Sequence, residues 1–180
     1  MNFIPETPKN SNKVPFYDDA TRAEGWQGQA TEKTIKTLQS EIIQAVGRLG
    51  GLVVGFQRGS FQGDGKQRAG FRIHYVVDAE NGKQIPGRID IAALPVKDDW
   101  SLRKTVEKRQ EASLKMALYM LRVALDGTWF LQQVSPGYCA LVPFMLGDGL
   151  HTISELWADR VMKYLLPEGE EEFVEGEVVG

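Results

Sequence analysis

Two stretches of the chain carry apolar residues at three- and four-residue steps, which is the spacing of one face of an α-helix. The first predicts a helix over residues 31–49, because Thr31 can cap its start and the glycine pair at 50–51 ends it. The second predicts a helix over residues 101–126, because its apolar stripe stops at Asp126-Gly127. The chain between the two helices has a different period.

That intervening part alternates apolar and polar positions, which predicts three strands over residues 52–58, 68–77 and 83–94. A three-residue turn, Glu80-Asn81-Gly82 with Gly82 left-handed, joins the second strand to the third, because a two-residue turn would set apolar and charged side chains on one face. This register predicts six cross-strand pairs: Phe71–Ile91, Ile73–Ile89, Tyr75–Gly87 and Val77–Ile85 on the buried face, and Arg72–Asp90 and His74–Arg88 on the exposed face.

Together these elements predict an α+β fold, a three-stranded antiparallel meander with both helices packed on one face. Pro86 lacks a donor and points its nitrogen away from the second strand, so the third strand is predicted to form a sheet edge. Residues 129–149 are apolar but interrupted by prolines, which predicts an ordered extended segment, and the capping box Thr152–Glu155 predicts a last helix that ends at Pro167. We expect this C-terminal part to bury three aromatic side chains, Trp129, Phe144 and Trp157.

Composition divides the chain of 180 residues into one domain and two ends. With 42% hydrophobic residues in the chain, residues 31–167 suffice for a single α+β domain with its own core. Residues 1–30 are rich in Pro, Asn, Asp, Gly and Gln and predict a flexible arm, whose aromatic residues can anchor it on the domain or on a partner. Residues 168–180 carry six glutamates and no basic residue, which predicts a disordered acidic tail.

The sequence predicts a soluble, cytoplasmic protein. Cys139 is the single cysteine, so no internal disulfide can form and a reducing compartment is the simplest interpretation. The first residues lack a secretory signal, and no apolar run reaches the ~18 residues that a membrane span needs. The net charge of -3 gives no overall attraction to nucleic acid, so each basic patch has to be considered singly.

The glycine-rich run Gly59–Gly70, GSFQGDGKQRAG, invites comparison with a phosphate-binding loop. Such a loop needs glycine where this chain has Ser60, a hydroxyl where it has Gln67, and a helix afterwards instead of the predicted strand. The run therefore predicts a flexible hairpin loop between two strands. It carries or adjoins three cations, Arg58, Lys66 and Arg68.

No pattern of residues predicts catalysis, a metal site or a cofactor site. His74 beside Asp90 on the exposed sheet face has the chemistry to transfer protons, but a solvated structural face is the default interpretation. His74 and His151 lie on distant elements and Cys139 has apolar neighbours, which excludes a zinc spacing and disfavours a reactive thiol. We therefore expect a non-enzymatic protein without a metal or a cofactor.

The predicted helix over residues 101–126 carries lysines near one face, and such a face is either solvated or in contact with phosphates. The leading hypothesis is a nucleic-acid-associated module that contacts DNA or RNA phosphates without reading bases. The alternative is a protein-interaction adaptor that binds its partner through the N-terminal arm, the acidic tail or the free edge of the third strand. The residues assigned to nucleic-acid binding are Arg58, Lys66, Arg68, Lys104 and Lys108.

The order helix–strand–strand–strand–helix over residues 31–126 resembles a double-stranded-RNA-binding domain. The hairpin FRIHYVVDAENGKQIPG at 71–87 resembles the second and third strands of that family, and KRQEASLKMAL at 108–118 resembles its basic second helix. The family's Gly-Pro-x-His loop is replaced by Gly63-Asp-Gly-Lys66. The acidic tail is similar to those of bacterial and phage single-strand-binding and recombination proteins. The two resemblances imply an α-β-β-β-α topology and a bacterial or phage-like accessory protein.

Overall fold

The computed structural model describes residues 14–63, 66–79, 81–99 and 101–165. Within these ranges the helices are α1 (Ile35–Arg48), α2 (Val106–Val134) and α3 (Ile153–Leu165), and the strands are β1 (Gly51–Gly63), β2 (Lys66–Asp78) and β3 (Gln84–Ala92). The strands form one antiparallel sheet in the order β1-β2-β3, which confirms the predicted α+β meander. The order α1-β1-β2-β3-α2 is also the one that the double-stranded-RNA-binding resemblance implies.

The predicted register between the second and third strands is confirmed at all six pairs. The turn has the predicted length, since the amide of Ala79 donates to the carbonyl of Lys83 at 2.8 Å and Gly82 is left-handed with a φ of 74°. Ile73 is fully buried, whereas the neighbouring His74 is exposed on the opposite face. Alternation along these two strands therefore determines which face of the sheet the helices cover.

The glycine-rich run is part of a paired hairpin, so the predicted flexible loop is wrong at the positions that the structure describes. β1 continues to Gly63 and β2 begins at Lys66, while residues 64–65 lie outside the described residues. Pairing between the strands explains the difference, because the hydrogen-bonded ladder continues to the end of both strands. The side-chain amide of Gln67 also donates to the Ser60 hydroxyl at 2.9 Å. Glycine content alone does not end a strand that has an adjacent partner.

α1 begins later than predicted because a different threonine caps it. The hydroxyl of Thr34 accepts a hydrogen bond from the amide of Thr37 at 3.1 Å, so the helix starts at Ile35 and not at residue 31. The helix then presents a buried face to the rest of the domain. The buried residues of that face are Leu38, Ile42, Ala45 and Val46.

α2 starts and ends later than predicted. Thr105 caps its start, so residue 101 precedes the helix, and its last turns pass through Gly127 to Val134. The first part of the predicted extended segment is therefore helical. Glycine costs a helix about 1 kcal/mol relative to alanine, and packing of the following Trp129 against the core outweighs that local preference.

The core lies between α1, α2 and the inner face of the sheet. Tyr75 is at its centre, with a side chain that is 1% exposed and a hydroxyl that donates to the carbonyl of Leu141 at 3.0 Å. Burial raises the pKa of this hydroxyl. A second, smaller cluster forms around Met116 on the other side of α2.

Residues 14–30, the described part of the predicted arm, are packed on the domain. The amide of Tyr17 donates to the carbonyl of Pro95 at 2.8 Å, and the side chains of Tyr17 and Trp26 pack in the cluster around Met116. Burial of these aromatic side chains stabilises a segment whose composition alone cannot build a core. Residues 1–13 lie outside the described residues.

The segment after α2 covers part of the β3 edge. The amide of Leu146 donates to the carbonyl of Pro86 at 2.9 Å, and Gly87 forms an isolated bridge with Met145. The edge that was predicted to be free is therefore partly occupied. β1 and β3 are both edge strands, and among the described residues no such bridge lies on the outer edge of β1.

The predicted capping box at the start of α3 is confirmed, since Thr152 and Glu155 exchange hydrogen bonds of 2.7 and 3.2 Å. The expected aromatic burial is correct only in part. Trp129 and Phe144 are half-buried against the core, but Trp157 is 66% exposed, so its predicted burial is wrong. The reason is that polar contacts around the capping box hold α3, and its described side chains lie outside the main core cluster.

Candidate nucleic-acid interface

A buried arginine organises the loop that leads into α2. The guanidinium of Arg109 contacts both carboxylate oxygens of Asp18 at 3.0 Å and donates to the carbonyls of Lys97 at 2.9 Å, Asp99 at 3.2 Å and Lys104 at 3.1 Å. The side chains of Arg109 and Asp18 are only 5% and 10% exposed. One helical residue therefore holds both the preceding loop and the N-terminal arm.

Arg109 was not singled out by the sequence analysis, which placed it in a basic helical segment. Its position on α2 indicated burial, because it lies one turn before Ser113 and two turns before Met116, which are both buried. Its partner Asp18 lies in a segment that the composition assigned to a flexible arm. Helical spacing therefore indicated burial, but nothing indicated the partner.

Lys104 and Lys108, two of the predicted residues, lie on the surface that Arg109 supports. They line a groove together with Lys115, Gln29 and Thr31, which we call the lysine groove. Lys104 and Lys108 are exposed, and neither has a carboxylate within 4.0 Å among the residues that the structure describes. Lys115 lies 3.7 Å from a carboxylate oxygen of Glu111. Glu111 also lines the groove, which therefore contains two exposed lysines beside one Lys–Glu pair.

Lys66 lies near the hairpin end of the sheet and contacts the arm. Its ammonium group is 3.9 Å from the centroid of the Phe16 ring, and the ammonium of Lys97 is 5.9 Å from the same centroid. A hydrogen bond with Asp19 raises the pKa of Lys97. Phe16 thus connects the hairpin to the loop that precedes α2, at the end of the domain that carries Lys104.

The two predicted arginines do not join this group. Arg68 donates to the carbonyls of Ala92 at 3.1 Å and Ala93 at 2.8 Å, so it holds the end of β3. Arg58 is exposed on β1 and lines a separate shallow cleft with Arg72. The structure therefore places Lys66, Lys104 and Lys108 at one end of the domain. Arg68 lies close to Lys66 on β2 but is engaged with backbone carbonyls, and Arg58 lines a separate cleft.

The exposed sheet face forms an ion-pair network. Arg72 donates to both carboxylate oxygens of Asp90 at 2.8 and 2.9 Å, and Arg88 lies 3.2 Å from the same carboxylate. Arg88 also donates to Glu155 in the capping box of α3. Both oxygens of Asp90 are occupied by guanidinium groups, so His74 has no hydrogen bond to this carboxylate among the described contacts.

The second histidine belongs to a local turn before α3. The carboxylate of Asp148 accepts from the amides of Leu150 at 2.9 Å and His151 at 2.6 Å, and lies 2.8 Å from the His151 ring nitrogen Nδ1. These bonds lower the pKa of Asp148 and raise the pKa of His151. Within the described part of the chain, no group of three or more His, Cys, Asp or Glu residues is placed to hold a metal ion.

Comparisons of the chain with protein-family models, with curated proteins and with solved structures found no significant match. None of the helices in the described ranges has the length and apolar character that crossing a membrane requires.

Proposed function

We propose that this chain is a non-enzymatic, nucleic-acid-associated accessory module of bacterial or phage-like type. The observation that carries the proposal is the pair Lys104 and Lys108, which are exposed and without a described carboxylate partner where Arg109 holds the loop before α2. Cations presented in this way neutralise phosphates and release counterions, which supplies sequence-independent affinity. Lys66 extends the surface toward the hairpin, and Arg58 is a peripheral contact.

The distribution of charge along the chain supports this proposal. Six of the 24 acidic residues lie in residues 168–180, which leaves 18 acidic residues against 21 Lys and Arg in the rest of the chain. The chain without residues 168–180 is therefore mildly basic, although the net charge of the whole chain is -3. A mildly basic domain attracts a polyanion more than the net charge of the whole chain suggests.

The double variant Lys104→Ala/Lys108→Ala is expected to bind DNA and RNA more weakly regardless of base sequence. Each lost phosphate contact should also reduce the slope of log affinity against log salt concentration by about one. The slope should therefore be about two smaller for the double variant than for the wild type. Titration of labelled single- and double-stranded DNA and RNA at several salt concentrations, followed by fluorescence anisotropy, measures both quantities.

Lys83→Ala is the matched control, because Lys83 is exposed in the β2–β3 turn at the opposite end of the sheet. It should leave affinity and salt dependence unchanged. Absence of binding by the wild-type protein at low salt would refute the proposed function.

A chain that ends at Pro167 is expected to bind nucleic acid more tightly than the full chain, most visibly at low salt. The tail carries six glutamates and no basic residue, and a tethered anion competes for a basic surface at an effective concentration on the order of mM. Its removal should leave the thermal unfolding temperature nearly unchanged. Equal affinities for the two proteins would show that the tail does not compete with nucleic acid.

The alternative function, a protein-interaction adaptor, is favoured by a different observation. β1 is an edge strand over Gly51–Gly63, and its side chains Leu52 and Val54 are 64% and 68% exposed. An uncovered apolar edge can accept an added strand from a partner. This function replaces the first if the wild-type protein binds none of the nucleic-acid probes.

A further inference from the structure

An open cavity of about 400 Å³ lies between the arm and the middle of α2. Two aromatic side chains line it, Trp26 from the arm and Tyr119 from α2, together with the cation Arg22 and with Gln29, whose side-chain amide donates to the carbonyl of Ala20. Ligand cavities are commonly about 300–1,000 Å³, with aromatic walls and a few polar groups. The cavity therefore has the size and the chemistry to receive a flat ring with hydrogen-bonding edges.

This cavity lies next to the lysine groove, because Gln29 and Thr31 line both of them. On α2, Lys115 and Tyr119 follow Lys108 by about two and three helical turns, so the three side chains lie in one row. The row extends about 16 Å from Lys108 to Tyr119 at the helical rise per residue. An extended ligand that enters the cavity would therefore continue along the lysines.

The arm passes close to α2 at this point. The backbone of Gly28 lies directly against the Tyr119 ring, where an added Cβ would be 2.7 Å from the ring atom Cδ1. In the lysine groove, the half-buried Ala112 lies between Lys108 and Lys115 in the same row and takes up little space. The arm and α2, which are separate segments of the chain, build the walls of the cavity and the groove and are in close contact at Gly28 and Tyr119.

We propose that the cavity and the lysine groove together bind single-stranded nucleic acid, with one base between Trp26 and Tyr119 and the phosphates along Lys115, Lys108 and Lys104. This inference rests on the proposed function and names its ligand form. Aromatic rings beside a cationic track suit single strands, because every base has a π face and the phosphates recur regularly. In a duplex the base faces are stacked and their edges paired, so a base enters such a cavity only after flipping.

The test compares the binding of short oligothymidylate, short oligouridylate and a duplex of the same length by fluorescence anisotropy. Single strands should bind at least about tenfold more tightly than the duplex, and Trp26→Leu should weaken single-strand binding by about tenfold, the scale of a lost base stack. Trp26→Phe keeps an aromatic face and should retain most of the affinity. Trp157→Leu removes an exposed tryptophan on α3 and should change nothing.

A second measurement covers the case in which Trp26→Leu fails to fold, because Trp26 also packs in the cluster around Met116. The oligonucleotides should quench the intrinsic fluorescence of the wild type, and Trp26→Phe should abolish most of that quenching. The difference between oligothymidylate and oligouridylate tells whether DNA or RNA is preferred.

The inference and the proposed function fail in different ways. Duplex that binds as tightly as single strands overturns the inference but leaves the proposed function standing. If Trp26→Leu folds and binds with wild-type affinity while Lys104→Ala/Lys108→Ala still weakens binding, the inference is likewise overturned and the proposed function stands. Failure of every probe to bind refutes both.

Discussion

Replacement of Arg109 with methionine is expected to lower the free energy of unfolding by about 3–5 kcal/mol. The change leaves the Asp18 carboxylate, which is 10% exposed, buried without its cationic partner. It also removes the donor for the carbonyls of Lys97, Asp99 and Lys104, and buried acceptors without a donor are destabilising. Denaturant unfolding followed by circular dichroism measures the difference.

Arg103→Met is the control, because Arg103 is an exposed arginine in the loop before α2, and the expected change is within about 0.5 kcal/mol. Asp18→Asn removes the buried carboxylate charge, so adding it to Arg109→Met should cost less than the two single changes combined. A loss below about 1 kcal/mol for Arg109→Met would mean that other contacts hold the loop and the arm.

This arginine also connects the proposed interface to the stability of the domain. Its guanidinium binds the carbonyl of Lys104 and the carboxylate of Asp18, so the lysine-bearing loop and the arm depend on one side chain. The loop at Lys104 and the arm at Asp18 are therefore held by a residue that is itself buried. The position of Lys104 therefore depends on a buried contact.

Much of the sheet could be predicted from the sequence because the pleat couples every residue to its neighbours. A one-residue slip of β2 against β3 would have moved Ile73 and Tyr75 to the solvent face. A two-residue turn would have imposed such a slip, whereas the three-residue turn ending at Gly82 keeps both side chains on the buried face. The pair Arg72–Asp90 followed from the same register. The alternation of side chains along a strand is therefore enough to predict the register, because each position determines the face on which the next one lies.

The remaining features depend on contacts between distant segments. The passage of α2 through Gly127 reflects packing of the residues that follow it, and the length of the β1–β2 hairpin reflects pairing that a glycine-rich composition does not reveal. The Asp18–Arg109 pair and the cavity between Trp26 and Tyr119 join the arm to α2. No periodicity in one segment shows which distant segment will cover it.

Replacement of Gly87 with alanine is the second change with a large expected effect, a loss of about 3 kcal/mol of unfolding free energy, at the upper part of the range for overpacked cores. A Cβ at this position would lie 2.1 Å from the Tyr75 ring atom Cζ and 2.4 Å from its hydroxyl oxygen. The ring is fully buried and its hydroxyl is bonded to the Leu141 carbonyl, so it has no free space to move into without breaking that bond.

Gly59→Ala is the matched control for this change, because Gly59 also lies in a strand and an added Cβ there meets no atom within 4 Å. It should alter stability by no more than about 0.5 kcal/mol. Truncation of the ring in the double variant Tyr75→Leu/Gly87→Ala makes room for the methyl group, so the two changes together should cost less than the two taken separately. If Gly87→Ala unfolds at the same denaturant concentration as Gly59→Ala, then Tyr75 does not cover Gly87 closely in solution and the packing described at this point of the sheet is wrong.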